Sequence, residues 1–211
     1  SQRELGAIAG LVLAAESAIA LSFGMSAFDA FLVMSVYAAA LFLEALYRDR
    51  MRNFFTPYII VHELLLVPML VYLFLVTGIS LTSILSLPLL GLIVFLSALF
   101  FVLEIARKVR APQDEGTGRD TYSAHYGISG AAILLSTTAA LSCGTLVFIA
   151  FSGLSLPIAT SAIGLVAFHL LCYRAFLFVS EPSPEQARSL FLSSGFFVAL
   201  MLALVSAAAL L

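Results

Sequence analysis

The sequence predicts an all-α, polytopic membrane helix bundle, and three observations carry that prediction. The chain is 62% apolar with a mean hydropathy of +1.11. It breaks into apolar runs of about 20 residues, the length that crosses a bilayer core at 1.5 Å rise per residue. No run alternates apolar and polar residues as a strand of a membrane barrel must.

Seven spans are expected, over residues 5–24, 28–47, 57–77, 84–105, 127–151, 156–179 and 189–210 of one domain covering 1–211. Small residues four apart, Gly6, Gly10 and Ala14 in the first span and Ser136, Ala140 and Gly144 in the fifth, predict close helix packing there. Pro68, Pro88 and Pro157 mark kinks or helix starts, because proline has no N–H to donate and its ring crowds the preceding turn. The turns around Met25, Gly78 and Gly153 contain no Lys or Arg, and the short Gly, Ser and Pro turns at Gly78 and Gly153 make consecutive helices antiparallel neighbours.

The opposite connections hold the cations: Arg3, then Arg48, Arg50 and Arg52, then Arg107, Lys108, Arg110 and Arg119, then Arg188. Such one-sidedness is the positive-inside pattern, so the charged face is expected to be cytoplasmic and the C-terminus outside. The expected location is a bacterial inner or cytoplasmic membrane. The basic residues form no stripe with interleaved aromatics, which excludes nucleic acid as a partner. Cys143 and Cys172 both lie inside apolar runs and are read as packing residues rather than a disulfide.

One stretch departs from lipid-facing composition. Residues 104–123 hold eight of the 22 charged side chains. Glu104, Arg107 and Lys108 stand at i, i+3 and i+4 and share a helix face, which Arg110 is expected to continue until Pro112 ends the helix. Asp114 and Glu115 follow beside Gly116 and Gly118, where flexible backbone can bring two carboxylates near a cation. Guanidinium groups just upstream can fork onto phosphate oxygens, and Mg²⁺ bridging a diphosphate needs only a few carboxylates. A solvated loop with a Glu104–Lys108 surface pair is the plainer alternative. The earlier loop repeats the theme with Tyr47, Arg48, Arg50 and Arg52, suited to an anionic headgroup or to anionic lipid. Ionisable residues in or near spans normally face the bundle interior or a polar cavity. His62, Glu63 and Arg174 are therefore candidate pocket residues, with His169 a weaker one, and Glu16 is expected to be a buried structural hydrogen-bonder. No zinc spacing, nucleophile elbow, phosphate-binding loop or dinucleotide fingerprint occurs, so no catalytic nucleophile is assigned.

The stretch Glu104-Ile105-Ala106-Arg107-Lys108-Val109-Arg110-Ala111-Pro112-Gln113-Asp114-Glu115, continuing through Gly118 and Thr121 to Gly127, resembles the second aspartate-rich motif of the UbiA superfamily of intramembrane prenyltransferases, in its bacterial UbiA-like subgroup. Tyr47, the arginines Arg48 to Arg52 and Thr56-Pro57 are similar in placement to that family's basic element in an earlier cytoplasmic loop. The resemblance implies a nine-helix fold of which these seven spans match the last seven. It implies an isoprenyl diphosphate and a hydrophobic acceptor as partners, Mg²⁺ as cofactor with Asp114 and Glu115 as ligands, and Tyr47, Arg48, Arg52, Arg107, Lys108 and Arg110 on the diphosphate. The family's first aspartate-rich motif and first two helices do not occur in this sequence, so a segment upstream of Ser1 is expected to carry them, or the usual catalysis has been lost. Arg107 and Arg110 also fall near positions where the family has aspartates. A non-catalytic UbiA-like subunit or scaffold of a larger membrane complex, binding lipid or pigment, is the alternative expectation, and a small-molecule transporter a weaker third.

Overall fold

The computed structural model describes residues 2–46, 55–116, 121–152 and 158–208. These residues are helical apart from short connections, and no strand occurs among them. The helices are α1 (Gln2–Ser22), α2 (Met25–Leu46), α3 (Phe55–Glu63), α4 (Leu66–Val76), α5 (Leu81–Ile84), α6 (Leu87–Arg107), α7 (Tyr122–Phe151), α8 (Ile158–Ser180) and α9 (Pro184–Ala208). Among the described residues six apolar helical stretches are long enough to cross a membrane: Met25–Phe42, Ile59–Val76, Leu87–Arg107, Tyr122–Phe151, Ala159–Ser180 and Pro184–Ala207. The apolar part of α1, Gly6–Ser22, is shorter. The chain forms two compact units, Ser1–Ser86 and Leu87–Leu211.

In the first unit, α1 turns into α2 through Gly24, whose φ of 110° is one that L side chains rarely adopt. Helix α2 packs on α4, with the Phe31 and Tyr72 rings 5.9 Å apart. The third expected span is two helices, and Pro68 explains the break. A proline at 68 cannot donate to the Leu64 carbonyl and its ring crowds that oxygen. Leu64 O accepts instead from Val67 N at 3.1 Å, and Leu65 N shifts to His62 O at 3.2 Å. That shift deprives Val61 O of its usual helical donor, and the Tyr37 hydroxyl of α2 donates to it at 2.6 Å. Tyr37→Phe is therefore expected to lower stability by about 0.6–1.7 kcal/mol, the range for hydrogen bonds between membrane helices. The loss should shrink in a Pro68→Ala background, where residue 68 regains an N–H; thermal unfolding of the four proteins in one detergent measures both effects.

The expected burial of Glu16 is not found. It is exposed on α1, where Ala20 is the buried apolar residue, because α1 turns most of its surface away from α2. The glycines of the small-residue stripes are likewise not close contacts, whereas Ser136 lies within hydrogen-bond reach of Cys172 on α8. A Cβ built on Gly6, Gly10 or Gly144 meets nothing within 4 Å among the described residues.

The second unit is a ring in which α6 packs on α7, α7 on α8, α8 on α9 and α9 back on α6. Its core residues recur at helical spacing: Phe95, Leu99, Val102 and Ala106 on α6, Leu135, Ala139, Leu146 and Ile149 on α7, Leu171, Ala175 and Phe178 on α8, and Leu190, Phe197 and Met201 on α9. The opposite faces are apolar too, with Val166, Leu170, Phe176 and Phe196 all exposed, as suits a helix surrounded by hydrocarbon. Close approach occurs at Gly91, where a Cβ would come 3.1 Å from Ile149, and at Gly164, 3.1 Å from the Met201 sulfur. Three buried hydroxyls bond back to their own helices, Thr138 to Leu134 O, Ser142 to Ala139 O and Ser194 to Leu190 O, each at 2.8 Å.

Two helices of this unit begin five residues earlier than expected, and each start has a cap. Thr121 Oγ1 accepts from Ala124 N at 3.2 Å and opens α7 at Tyr122. The expected start, Gly127, is an interruption inside the helix, with φ 70° and ψ 169°. Ser183 Oγ accepts from Gln186 N at 3.2 Å, and Pro184 follows as the first residue of α9. Ser183-Pro184-Glu185-Gln186 has the spacing of a capping box.

Candidate functional site

Because α6, α7, α8 and α9 follow one another in antiparallel sequence, the C-terminal end of α6, the loop into α7 and the N-terminal end of α9 lie at one end of the second unit. Its composition is polar there for a local reason: the last turn of α6 carries Glu104 and Arg107, and Lys108 follows directly. Arg107 Nε donates to Glu104 Oε2 at 3.0 Å, Arg107 Nη2 to Oε1 at 2.9 Å and to Oε2 at 2.7 Å, while Lys108 Nζ lies 2.8 Å from Oε1. One carboxylate thus orients two cations. Arg107 remains 61% exposed at its side chain, so a ligand has access to it without burial of the pair.

Helix α6 stops at Arg107, five residues before the break expected at Pro112, so Arg110 does not continue its face. The loop itself takes up the freed backbone groups. Lys108 O accepts from Tyr122 N at 3.0 Å, and Arg110 N donates to Ser123 Oγ at 2.8 Å. Ala111 is extended, as the residue before a proline prefers, and Pro112–Asp114 forms one 3₁₀ turn.

That turn sends two adjacent carboxylates to different places. Glu115 accepts at both oxygens from Thr121 Oγ1, 2.8 Å each, and at Oε1 from Ser123 Oγ at 2.5 Å. It fastens the loop to the first turn of α7. Asp114 instead stands on the wall of a cavity of about 350 Å³ with Arg107, Arg110 and Arg188, above a floor that includes Ala187 and Phe191. Three guanidinium groups and one carboxylate leave an excess of positive charge, and their planar forks match phosphate oxygens in geometry. The volume falls in the range of about 300–1,000 Å³ usual for small-molecule sites.

Of the residues singled out from sequence, the structure brings Arg107, Arg110 and Asp114 together. Lys108 is tied to Glu104 and is not on the cavity wall. Glu115, expected as a second metal ligand, is the loop fastener just described. Tyr47, Arg48, Arg50, Arg52 and Arg119 lie outside the described residues. His62 and Glu63 are half-buried at the end of α3, beside the break made by Pro68. Arg174 is exposed and lines a separate crevice between α8 and α9. His169 is exposed, with Nδ1 2.7 Å from the Leu165 carbonyl of its own helix.

Two participants escaped the sequence reading. Arg188 was placed outside the last helix because the Ser183 cap was not used; recognising that cap puts Arg188 in the second turn of α9. The sequence makes Glu104 a helix-face neighbour of Arg107 and Lys108; what it does not show is that Glu104 orients a groove arginine. Mg²⁺ takes oxygen ligands in an octahedron and commonly accepts one or two carboxylates together with substrate phosphates. Asp114 is the carboxylate on this wall that fits such a role, and no group of three His, Cys, Asp or Glu that could hold a metal occurs among the described residues. No protein-family model, no curated protein and no solved structure matches this chain.

Proposed function

We propose that the chain is a UbiA-like integral membrane prenyltransferase that takes an isoprenyl diphosphate from the cytoplasmic side, with α1 as a seventh crossing of the membrane. The observation that supports this reading is the groove whose lining includes Arg107, Arg110, Arg188 and Asp114, at the end of apolar, membrane-length helices. In the reaction the allylic C–O bond breaks, its electron pair leaves with the diphosphate, and the allylic carbon bonds to a nucleophilic atom of the hydrophobic acceptor, which gives up a proton. The guanidinium groups stabilise charge where it develops, on the departing diphosphate. Glu104 keeps Arg107 oriented before substrate arrives. Asp114 would hold Mg²⁺ jointly with the phosphate oxygens, and the ion would add further charge neutralisation. The prenyl tail would lie against the Phe- and Leu-rich helices.

With full-length protein in lipid nanodiscs, labelled isoprenyl diphosphate and a lipid acceptor, Asp114→Ala and Arg107→Ala are each expected to abolish label transfer. Transfer retained by both variants rejects the assignment.

A non-catalytic UbiA-like subunit that binds lipid or pigment in a larger membrane complex is the second reading. The engagement of Glu115 by Thr121 and Ser123 favours it, since that leaves the groove wall with Asp114 alone of the adjacent carboxylate pair. Headgroup binding by the wild-type protein without any turnover, across acceptors, would select this reading.

A further inference from the structure

The crevice between α8 and α9 is a second concavity, of about 420 Å³, and its chemistry differs from that of the cationic groove. Its walls include Leu170, Tyr173, Leu192 and Phe196, which are 58%, 57%, 60% and 65% exposed. Both helices are long and apolar enough to cross a membrane, so a crevice that opens between their outer faces opens onto lipid. Among these apolar walls stands Arg174, which makes no hydrogen bond or ion pair among the described residues. It lies six residues before Ser180, the end of α8, or about 9 Å of helix rise. That depth places a guanidinium near the level of lipid headgroups on the side where α8 ends. A cation there is costly unless it reaches an anion or water. The half-buried Ser193 hydroxyl on the facing helix adds a donor, and Tyr173 has the amphipathic ring favoured at a membrane interface.

We propose that this crevice binds an anionic glycerophospholipid from the surrounding leaflet, its phosphate on Arg174 and Ser193 and an acyl chain along Leu170, Leu192 and Phe196. Charge complementarity selects the headgroup, and the lateral opening selects a bilayer lipid over a water-borne anion. A partner helix fits the walls less well, since helices associate closely in lipid over Gly, Ala and Ser rather than over Leu, Tyr and Phe. The site is independent of the prenyl-transfer reading, which uses neither Arg174 nor these walls.

The test is native mass spectrometry of the full chain released from nanodiscs that mix phosphatidylglycerol and phosphatidylcholine. Wild type is expected to retain phosphatidylglycerol about 10-fold more strongly, because the choline ammonium of phosphatidylcholine offsets the phosphate charge that Arg174 would meet. Arg174→Gln should abolish that preference and Arg174→Lys keep most of it. Phe196→Trp, which fills the crevice and leaves the cation in place, should lower retention of the lipid. Equal retention of the two lipids by wild type, or an unchanged preference in Arg174→Gln, overturns the proposal. So does a co-purifying membrane protein displaced by Phe196→Trp while lipid retention is unchanged.

Discussion

Charge reversal at two positions, Arg110→Glu with Arg188→Glu, is expected to weaken binding of a diphosphate-headed isoprenoid by at least about 100-fold. A hydrogen bond to a charged group contributes about 1.5–3 kcal/mol, and about 1.4 kcal/mol is a factor of ten in affinity. Two lost guanidinium contacts therefore account for about two to four powers of ten before the added repulsion of two carboxylates. Exposure works against the upper end, since water and salt screen all three arginines. Isothermal titration of the protein in nanodiscs, at low and at physiological salt, measures the change. Arg188→Glu alone is the sharper variant, because Arg188 joins the groove only through the packing of α9 on α6. Lys108→Gln should matter far less, its ammonium being held by Glu104 off the cavity wall. An affinity unmoved by Arg188→Glu would reject the diphosphate reading of this groove.

The second large effect concerns stability. Glu115→Ala removes a carboxylate that accepts from two hydroxyls, and the loss is expected to be about 2–4 kcal/mol, the sum of two charge-assisted bonds reduced by partial exposure. Thr121→Val should lower stability as well, doubly so because Thr121 also caps α7. The two changes should be non-additive, with a coupling within about 0.5–3 kcal/mol, since they cut the same contact. Unfolding in detergent gives the energies, and hydrogen exchange at residues 108–116 shows whether the loop has been released. If Glu115 worked as a metal ligand instead, added Mg²⁺ would protect the wild type and Thr121→Val would not couple to Glu115.

Much of the architecture was legible because hydrophobic span length is a local property. A run of about 20 apolar residues is the same signal whatever it packs against, and six of the expected spans are helical stretches of membrane length, one of them broken at Pro68. The Glu104, Arg107 and Lys108 cluster was legible for the same reason, as helical periodicity alone makes them neighbours. Helix starts were less legible, because hydropathy ignores polar capping residues such as Thr121 and Ser183 and so opens both helices late. The break at Pro68 was anticipated as a kink, but its consequence, a carbonyl taken up by Tyr37, required knowing that α2 lies alongside.

By itself, then, the sequence determined an all-helical, membrane-length chain with charged connections on one side, because burial in lipid forces backbone hydrogen bonds to close within each helix. Tertiary structure decided which charges act together. Asp114 and Glu115 are neighbours in the chain, yet a single 3₁₀ turn gives one to the arginines and the other to Thr121 and Ser123. Arg188 is far from Arg107 in the chain and shares a groove with it only because α9 folds back onto α6. Glu16 and the Gly6–Gly10 stripe carried the sequence signature of interior positions and face outward, since which side of an apolar helix is covered depends on its neighbours and not on its own residues.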